Sequence, residues 1–273
     1  TWETTEQVNF GIDFSVLDDR ISGTIDFYDK KTKDLLQNIP IPTSSGYSNI
    51  LINKGDISNK GIELAMNFDL ISNDDFEFSF GGNIAFNQTK LESLGVPADD
   101  FYIDGVAEQR SFFFGNNISR GQIFQSPANV FVEGEETSLF YGFETDGIYQ
   151  SDDTDLVDGA VPGDPRIIDQ NGDGVIDDLD RTFIGNPNPD FIYGFNLNLR
   201  YRRFNASLLF SGVHGNDIAN GNLLTIGNAT GQFQNVLSDS YYNAWRPDAP
   251  SNIHPRIGYN TVGDTAITDR IIE

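Results

Sequence analysis

Twelve residues in the middle of the chain, 169–180, carry the side chains best suited to bind a metal ion. Oxygen-bearing side chains stand at positions 1, 3, 5, 9 and 12 of this segment, Gly174 stands at position 6, and Val175 at position 7 offers its carbonyl. This is the spacing of a calcium loop, because Ca²⁺ takes six to eight oxygen ligands and the glycine permits a sharp turn. We predict one structural Ca²⁺ held by Asp169, Asn171, Asp173, Val175, Asp177 (directly or through water) and Asp180.

The segment also departs from the usual calcium loop. Asp180 stands where a bidentate Glu is usual, so weaker binding is expected, and the pattern of flanking helices is missing. Residues 151–181 contain ten Asp and two Arg, a net charge of −8, which a cation would partly offset. The alternative is a solvated acidic turn in which Asp and Asn make local hydrogen bonds.

The sequence contains no catalytic motif, and it predicts neither an enzyme nor an organic cofactor. There is no Cys, and the two histidines, His214 and His254, stand in no catalytic motif. Aromatic groups at 112–114 and at Tyr241, Tyr242 and Trp245 are interpreted as a small core between loops, with stacking on sugar rings as the alternative.

The charge of the chain excludes some partners. Seventeen basic against 41 acidic residues leave a net charge of −24. This predicts no nucleic-acid binding and disfavours docking on an anionic membrane through a basic patch. No apolar run exceeds three residues, so no membrane-spanning helix or signal peptide is expected in this chain.

Strict alternation of apolar and polar residues is the strongest structural signal. It covers Val8–Val16, Ile62–Leu70, Phe76–Phe86 and Phe191–Tyr201, and weaker cases are Ile21–Tyr28, Leu139–Tyr149 and Phe204–Phe210. A period of two indicates strands with one apolar face. A further hairpin of residues 129–132 and 138–149 would bring the total to about eight strands.

The alternation alone cannot distinguish a soluble sandwich from a barrel whose apolar face contacts lipid. Strand lengths of about 9–12 residues favour the membrane, where strands need about 9–11. The connections are also sorted: short turns follow residues 16, 71 and 201, whereas the segments near 31–58, 91–127, 150–189 and 213–262 are long and polar. We therefore predict an all-β fold, an antiparallel transmembrane β-barrel with long extracellular loops.

This fold predicts which side chains meet lipid and which line the lumen. Phe10, Phe14, Leu64, Phe68, Phe78 and Leu197 should face lipid. Asp13, Glu63, Asn67, Glu77 and Asn196 should face the lumen. So polar a face needs water, which a small packed barrel lacks, and this indicates a fragment of a larger barrel.

Several motifs resemble those of the SusC/RagA-type TonB-dependent transporters. They are Trp2-Glu3, Gly11-Ile12-Asp13-Phe14, Asp34-Leu35-Leu36, Ser45-Gly46-Tyr47, Asn59-Lys60-Gly61-Ile62-Glu63-Leu64, Gly142-Phe143, Asp146-Gly147-Ile148-Tyr149-Gln150, Pro162-Gly163-Asp164, Asp173-Gly174, Ile184-Gly185-Asn186-Pro187, Pro189-Asp190-Phe191, Trp245-Arg246-Pro247 and Pro255-Arg256. The resemblance extends over nearly the whole chain and is weakest at 88–130 and 212–240.

The resemblance implies an outer-membrane protein of a gram-negative bacterium with a barrel of about 22 strands. Such a protein imports glycans, oligosaccharides or peptides, is energised by TonB, and carries a SusD-like surface lipoprotein as a lid. Residues 1–273 would be a C-terminal part of the barrel embedded in membrane lipid, with 160–185 as a calcium-loop-like extracellular insertion. The signal, the plug, the TonB-contacting segment and the final strands would be absent from this chain.

A second interpretation comes from another class of protein. A soluble, calcium-stabilised, β-rich surface adhesin or glycan-binding module would also explain the acidity and the calcium-like loop. It would not explain the long strands or the sorting of the connections.

Overall fold

The computed structural model describes residues 2–40, 44, 46–47, 49–115, 117–120, 124–157, 159–227, 235–258 and 267–273. The strands are β1 (Thr4–Val16), β2 (Ile21–Lys33), β3 (Leu36–Pro40), β4 (Asn49–Asn53), β5 (Asp56–Ser72), β6 (Phe76–Ser93), β7 (Asp99–Ile103), β8 (Val106–Arg110), β9 (Phe112–Phe114), β10 (Asn117–Arg120), β11 (Phe124–Pro127), β12 (Asn129–Val132), β13 (Leu139–Phe143), β14 (Thr145–Ile148), β15 (Pro165–Ile167), β16 (Arg181–Gly185), β17 (Phe191–Tyr201) and β18 (Phe204–His214). Helices are short: Asp178–Asp180, Leu223–Gly227, α1 (Ser238–Tyr242) and Asp269–Ile271.

The chain divides into two compact units. Unit 1 comprises Thr1–Gly95, Glu133–Thr137 and Asn188–Asn216. Unit 2 comprises Val96–Val132, Ser138–Pro187 and Asp217–Glu273. Motif residue Ser45 and parts of all four predicted long loops lie outside the described residues. No helix among the described residues is long and apolar enough to cross a membrane.

Unit 1 is built on one antiparallel sheet with the strand order β1-β2-β5-β6-β17-β18. The predicted all-β, antiparallel fold is confirmed, and the strands extend to 18 residues in β6. Tight turns join β1 to β2, β5 to β6 and β17 to β18 at one end. The longer connections leave from the opposite end, where Lys33 pairs with Thr4 and Asp56 pairs with Ser93.

The strand register places the alternating apolar residues in continuous rows. Phe10 pairs with Phe27, which pairs with Ile62, which in turn pairs with Phe86. Rings stack along the same face, with centroids 4.6 Å apart between Phe195 and Phe210. These side chains are not covered: Phe10 is 64% exposed and Leu208 is 55% exposed. The sheet therefore has one apolar face, which we call the apolar face, and one polar face.

Glycine allows close side-chain approach on the polar face. A Cβ at Gly81 would collide with the side-chain oxygens of both Asn67 and Asn196, its neighbours on the flanking strands. Gly11 is covered in the same way by the carboxylate of Asp26. Because glycine has no side chain, these two positions leave room for the longer polar side chains on the neighbouring strands.

The prediction that residues 129–132 and 138–149 form a barrel hairpin is wrong. β6 pairs directly with β17, so the described sheet has six strands rather than about eight. β12 and β13 belong instead to a separate sheet in unit 2, of order β16-β13-β12-β9. All five residues of β13 are buried, so that both of its faces are covered, whereas a barrel strand alternates.

Unit 2 has its own hydrophobic core, although the sequence predicted mainly long polar loops there, with a small aromatic core between them. One cluster consists of Phe101, Val130, Val132, Leu139 and Tyr141. A second consists of Ala128, Phe140, Ile267 and Ile271. Gly142 lies so close to the carbonyl of Ile267 that any Cβ would collide with it. The connections from the sheet are thus folded structures rather than extended loops.

Candidate functional site

The predicted calcium loop closes around two carboxylates that accept backbone hydrogen bonds. The Asp169 carboxylate accepts from the amides of Gly172 and Gly174, both at 2.7 Å. The Asp180 carboxylate is fully buried and accepts from the amides of Gln170 at 3.0 Å and Asp177 at 2.9 Å. The acidic side chains therefore organise the turn themselves, as the Asp and Asn alternative predicted.

The remaining predicted ligands lie on the exposed rim of this loop. The Asn171 side chain donates to Asp173 at 3.0 Å, and Asp173 accepts from the amide of Val175 at 2.8 Å. Asp177 caps the helical turn 178–180 by accepting from the amide of Leu179 at 2.8 Å.

Burial raises the pKa of Asp180, and the nearby charge of Asp169 acts in the same direction. The three backbone hydrogen bonds to Asp180 lower its pKa but do not outweigh burial. In the described part of the chain, no three acidic, His or Cys side chains converge as metal ligands. The calcium ion stays a prediction.

A cavity of about 400 Å³ adjoins the predicted loop within unit 2. Its lining includes Asp146, Tyr149, Asp155, Arg166 and Asp169. The Arg166 guanidinium lies 6.0 Å from the centre of the Tyr149 ring and pairs with Asp146 at 3.1 Å. Acidic groups thus outnumber the single basic group around this cavity.

A buried junction in unit 2 joins four of the motifs that carry the family resemblance. The Asp164 carboxylate, 1% exposed, pairs with the Arg256 guanidinium at 2.6 Å. The Arg256 amide donates to the carbonyl of Gly163 at 2.8 Å. The Trp245 indole N–H donates to the Gln150 side chain at 2.9 Å. These residues occur in separate motifs of the sequence, and nothing else in the sequence indicates that they meet.

The aromatic groups and the two histidines singled out in the sequence can each be placed in the structure. Phe112 lies against Phe101, with ring centroids 4.9 Å apart, as the small-core interpretation predicted. The same interpretation is wrong for Tyr241 and Tyr242, which are 52% and 71% exposed, whereas Trp245 is buried. His254 pairs with Asp239 at 3.1 Å, and His214 packs on Phe191 in unit 1.

The polar face of the sheet carries charged side chains on several of its strands. Asp26 and Glu63 stand directly opposite each other on β2 and β5. Glu77 forms a two-armed ion pair with Arg200 near the short turns. A cavity of about 640 Å³ opens where Asp26 and Glu63 share its lining with Ile192 and other residues. Such a surface, acidic and open, needs contact with water.

Known proteins similar to this chain point to one family. Residues 1–132 match the model of the TonB dependent receptor-like β-barrel. The chain is 34% identical to TonB-dependent receptor P3 of Formosa agariphila, over 99% of this chain and 26% of that protein. It is 29% identical to TonB-dependent receptor SusC of Bacteroides thetaiotaomicron, over 76% of this chain and 19% of that protein.

A solved structure, that of the RagAB peptide transporter, shares the fold with a TM-score of 0.73 at 21% identity. The match covers 100% of this chain and 27% of the other chain. The chain thus spans about a quarter of the length of the proteins it matches over its whole length. The family model, these relatives and the antiparallel sheet agree. The chain belongs to the β-barrel of the SusC/RagA-type TonB-dependent receptors, which are outer-membrane proteins of gram-negative bacteria.

Proposed function

We propose that the whole protein imports large nutrients, glycans or peptides, across the outer membrane. Import is energised by TonB through a segment outside this chain, and a SusD-like surface lipoprotein serves as a lid. The described sheet supplies part of the barrel wall, with its apolar face toward lipid and its polar face toward the lumen. The observation that carries the proposal is the height of the apolar face.

The height of the apolar face can be read from β6. Apolar or glycine residues occupy every outward position from Phe76 to Phe86, ten residues apart. At about 3.4 Å per residue and a tilt of about 40°, this distance corresponds to about 26 Å along the membrane normal. The apolar band of outer-membrane barrels is about 25 Å tall. A soluble module would leave the exposed rings of Phe10 and Phe86 in water, which disfavours the adhesin alternative.

The polar face supports a water-filled transport path. Its exposed carboxylates and amides can hydrogen-bond water, the hydroxyls of a glycan or the backbone of a peptide. The similar RagAB structure is that of a peptide transporter, which supports peptides among the cargo classes. The SusC relationship supports the lipoprotein lid, for which the long connections at one end of the sheet provide the protein surface.

Single-cysteine labelling of the full-length protein in outer membranes tests the proposed orientation. Matched neighbours on one strand are Glu77 and Phe78 on β6, and Asn196 and Leu197 on β17. Cysteine at Phe78 and Leu197 should react with a lipid-soluble reagent, and cysteine at Glu77 and Asn196 with a water-soluble one. Equal labelling of both members of a pair by the water-soluble reagent would contradict the proposal.

Gentle detergent extraction tests the partner. A tagged full-length protein should co-purify with one surface lipoprotein of the same cell. Recovery of the barrel protein alone would argue against a lid. Loss of cargo uptake on dissipating the inner-membrane proton gradient would support energisation by TonB, and unchanged uptake would contradict it.

We also propose that Ca²⁺, bound at residues 169–180, stiffens this part of unit 2. The crowding of Asp169, Asp173, Asp177, Asp178 and Asp180 supports it, since five carboxylates within twelve residues repel one another unless a cation or water separates them. Bound metal would have a structural role and would not act on the cargo.

A further inference from the structure

The lysines of this acidic chain are confined to one region. All six fall between residues 30 and 90, although the chain has a net charge of −24. Lys30, Lys31 and Lys33 end β2, Lys60 lies in β5 and Lys90 lies in β6. Strand pairing brings these positions together at the end of the sheet from which the long connections leave.

Two of these lysines flank a serine in a single row of the register. Lys31 pairs with Ser58, and Ser58 pairs with Lys90. Lys31 stands four residues beyond Phe27, and Lys90 stands four residues beyond Phe86, so both share the apolar face of the sheet. We call Lys31, Ser58 and Lys90 the lysine row. With strands about 4.8 Å apart, the two lysine backbones lie about 10 Å from each other.

Among the described residues, two other lysines near the lysine row form ion pairs with carboxylates, but the two lysines of the row do not. Lys33 pairs with Glu6 at 3.0 Å, and Lys60 pairs with Asp29 at 3.2 Å. The Ser58 hydroxyl donates to the carboxylate of Glu92 at 2.6 Å. Neither Lys31 nor Lys90 forms an ion pair with any residue that the structure describes. Glu6 stands opposite Lys31 in the register, but its carboxylate is held by Lys33. The segment Glu133–Thr137, which carries three glutamates, bonds to the β6 backbone at Leu91, next to Lys90. Within the described residues, the two ammonium groups of the row therefore stand near carboxylates without an ion-pair partner of their own.

The lysine row lies within side-chain reach of the lipid headgroups if the apolar face meets lipid. Four residues beyond Phe86 correspond to about 14 Å along the strand and about 10 Å along the membrane normal. The polar layer adds roughly 5–8 Å on each side of the hydrocarbon, and lysine side chains extend toward this layer from either direction. Long extracellular connections at this end identify the layer as that of the outer leaflet.

We propose that the lysine row binds the phosphate-bearing headgroup of an outer-leaflet lipid. The proposal rests on the proposed function, since it needs the apolar face to be embedded. Each ammonium group offers three donors to phosphate oxygens, and the acyl chains of the same lipid would continue down the apolar face over Phe27 and Phe86. This continuity of charge with apolar surface favours a lipid over a soluble anion or an acidic protein.

Retention of a phosphorylated lipid by the full-length protein tests the proposal. The protein is reconstituted in phosphatidylcholine nanodiscs containing a small fraction of lipid A, and retained lipid A is counted by native mass spectrometry after transfer to detergent. The wild-type protein should retain lipid A. Lys31→Gln/Lys90→Gln should weaken retention about 25-fold, because each lysine near an anionic surface contributes about fivefold in affinity.

Two further variants separate binding from folding and from net charge. Lys31→Arg/Lys90→Arg should restore retention, because it preserves both charges. Lys54→Gln removes a lysine outside the row, in the link between β4 and β5, and should retain lipid A like the wild type. Equal retention by the wild-type and Lys31→Gln/Lys90→Gln proteins would overturn the proposal. So would complete displacement of lipid A by inorganic phosphate, which would assign the site to a soluble anion.

The same samples distinguish this proposal from the proposed function. Cysteine labelling at Phe78 by the lipid-soluble reagent is measured on each variant. If Phe78 is labelled but lipid A retention does not depend on the lysines, the lipid site is rejected and the embedded sheet stands. Absence of labelling in the wild-type protein would reject the embedded sheet and the lysine row together.

Discussion

Asp164 and Arg256 form an ion pair of 2.6 Å between two loop segments that are 92 residues apart in the chain. The carboxylate is 1% exposed, and its other oxygen accepts the Val161 amide at 3.1 Å. A buried carboxylate needs such partners, because the free energy cost of leaving it unpaired is several kcal/mol. The pair therefore holds the Gly163 and Arg256 segments of unit 2 together.

Removing the cation of this pair should loosen unit 2. Arg256→Met leaves Asp164 buried and unpaired, so we expect a loss of about 3 kcal/mol in local stability. Amide hydrogen exchange of peptides covering residues 145–168 should then accelerate about 100-fold. Arg166→Met is the matched control, since its partner Asp146 is largely exposed and such pairs contribute about 0–1 kcal/mol. Equal effects of the two variants would show that burial of Asp164 does not govern the stability of the junction.

A single methyl group at Gly142 should disturb the β13 sheet. The added Cβ would collide with the carbonyl of Ile267, a backbone atom that cannot rotate away. We expect Gly142→Ala to destabilise unit 2 by about 1–3 kcal/mol, as overpacking does in other cores. Gly221→Ala serves as the control, because its Cβ would meet open space. Thermal unfolding or hydrogen exchange of peptides containing residues 139–143 measures the difference, and unchanged exchange would refute the predicted collision.

Calcium binding should depend on the predicted ligands and not on loop charge alone. Asp173→Ala removes a proposed ligand, whereas Asp178→Ala makes the same change of charge at a position outside the proposed set. Metal analysis and calorimetric titration of the full-length protein should show one Ca²⁺ in the wild type and in Asp178→Ala. Asp173→Ala should bind at least about tenfold more weakly, since Ca²⁺ affinity follows the number of charged ligands. A wild-type protein that binds no Ca²⁺ would leave residues 169–180 as a self-organised acidic turn.

Alkaline pH should open the core around Tyr141. Burial raises the pKa of its hydroxyl to about 12, and the hydroxyl donates to the carbonyl of Tyr102 at 2.7 Å. The raised pKa means that the folded state holds this proton more tightly than the unfolded state. The corresponding stability is fully present below pH about 10, the unfolded value, and is lost as the pH rises toward 12.

Comparison with variants isolates the contribution of this hydroxyl. Hydrogen exchange of peptides containing residues 139–143, followed between pH 9 and 12, should show a steeper loss of protection in the wild type than in Tyr141→Phe. Tyr242→Phe, at an exposed tyrosine, should keep the wild-type slope. Identical slopes in the wild type and Tyr141→Phe would mean that another group controls the alkaline transition.

Local features of the sequence were sufficient to predict the strands of unit 1 and the faces of their side chains. Alternation with a period of two is a property of neighbouring residues, and it survives in β1, β5, β6 and β17 whatever lies beside them. The short turns and long connections are likewise visible in the chain itself. For the same reason the motifs sufficed to identify the family.

Segment 129–149 was misassigned because its partners are distant in sequence. Its apolar residues permit either a barrel strand or a strand buried on both faces. Two contacts with distant segments favour the second arrangement. Tyr141 packs against Phe101, with ring centroids 4.8 Å apart, and the Phe143 amide donates a hydrogen bond to the carbonyl of Ile267. Such contacts between distant segments leave no local periodicity to detect.

Charge shows the same division between local pattern and tertiary structure. Net charge, a sum over the chain, argued against any basic patch on a membrane surface. Antiparallel pairing of β2, β5 and β6 nevertheless places Lys31 and Lys90 on either side of Ser58, although these lysines are 59 residues apart. A sum carries no information about position, and electrostatic interactions depend on distance. Only the register of the folded sheet could therefore bring the lysine row together.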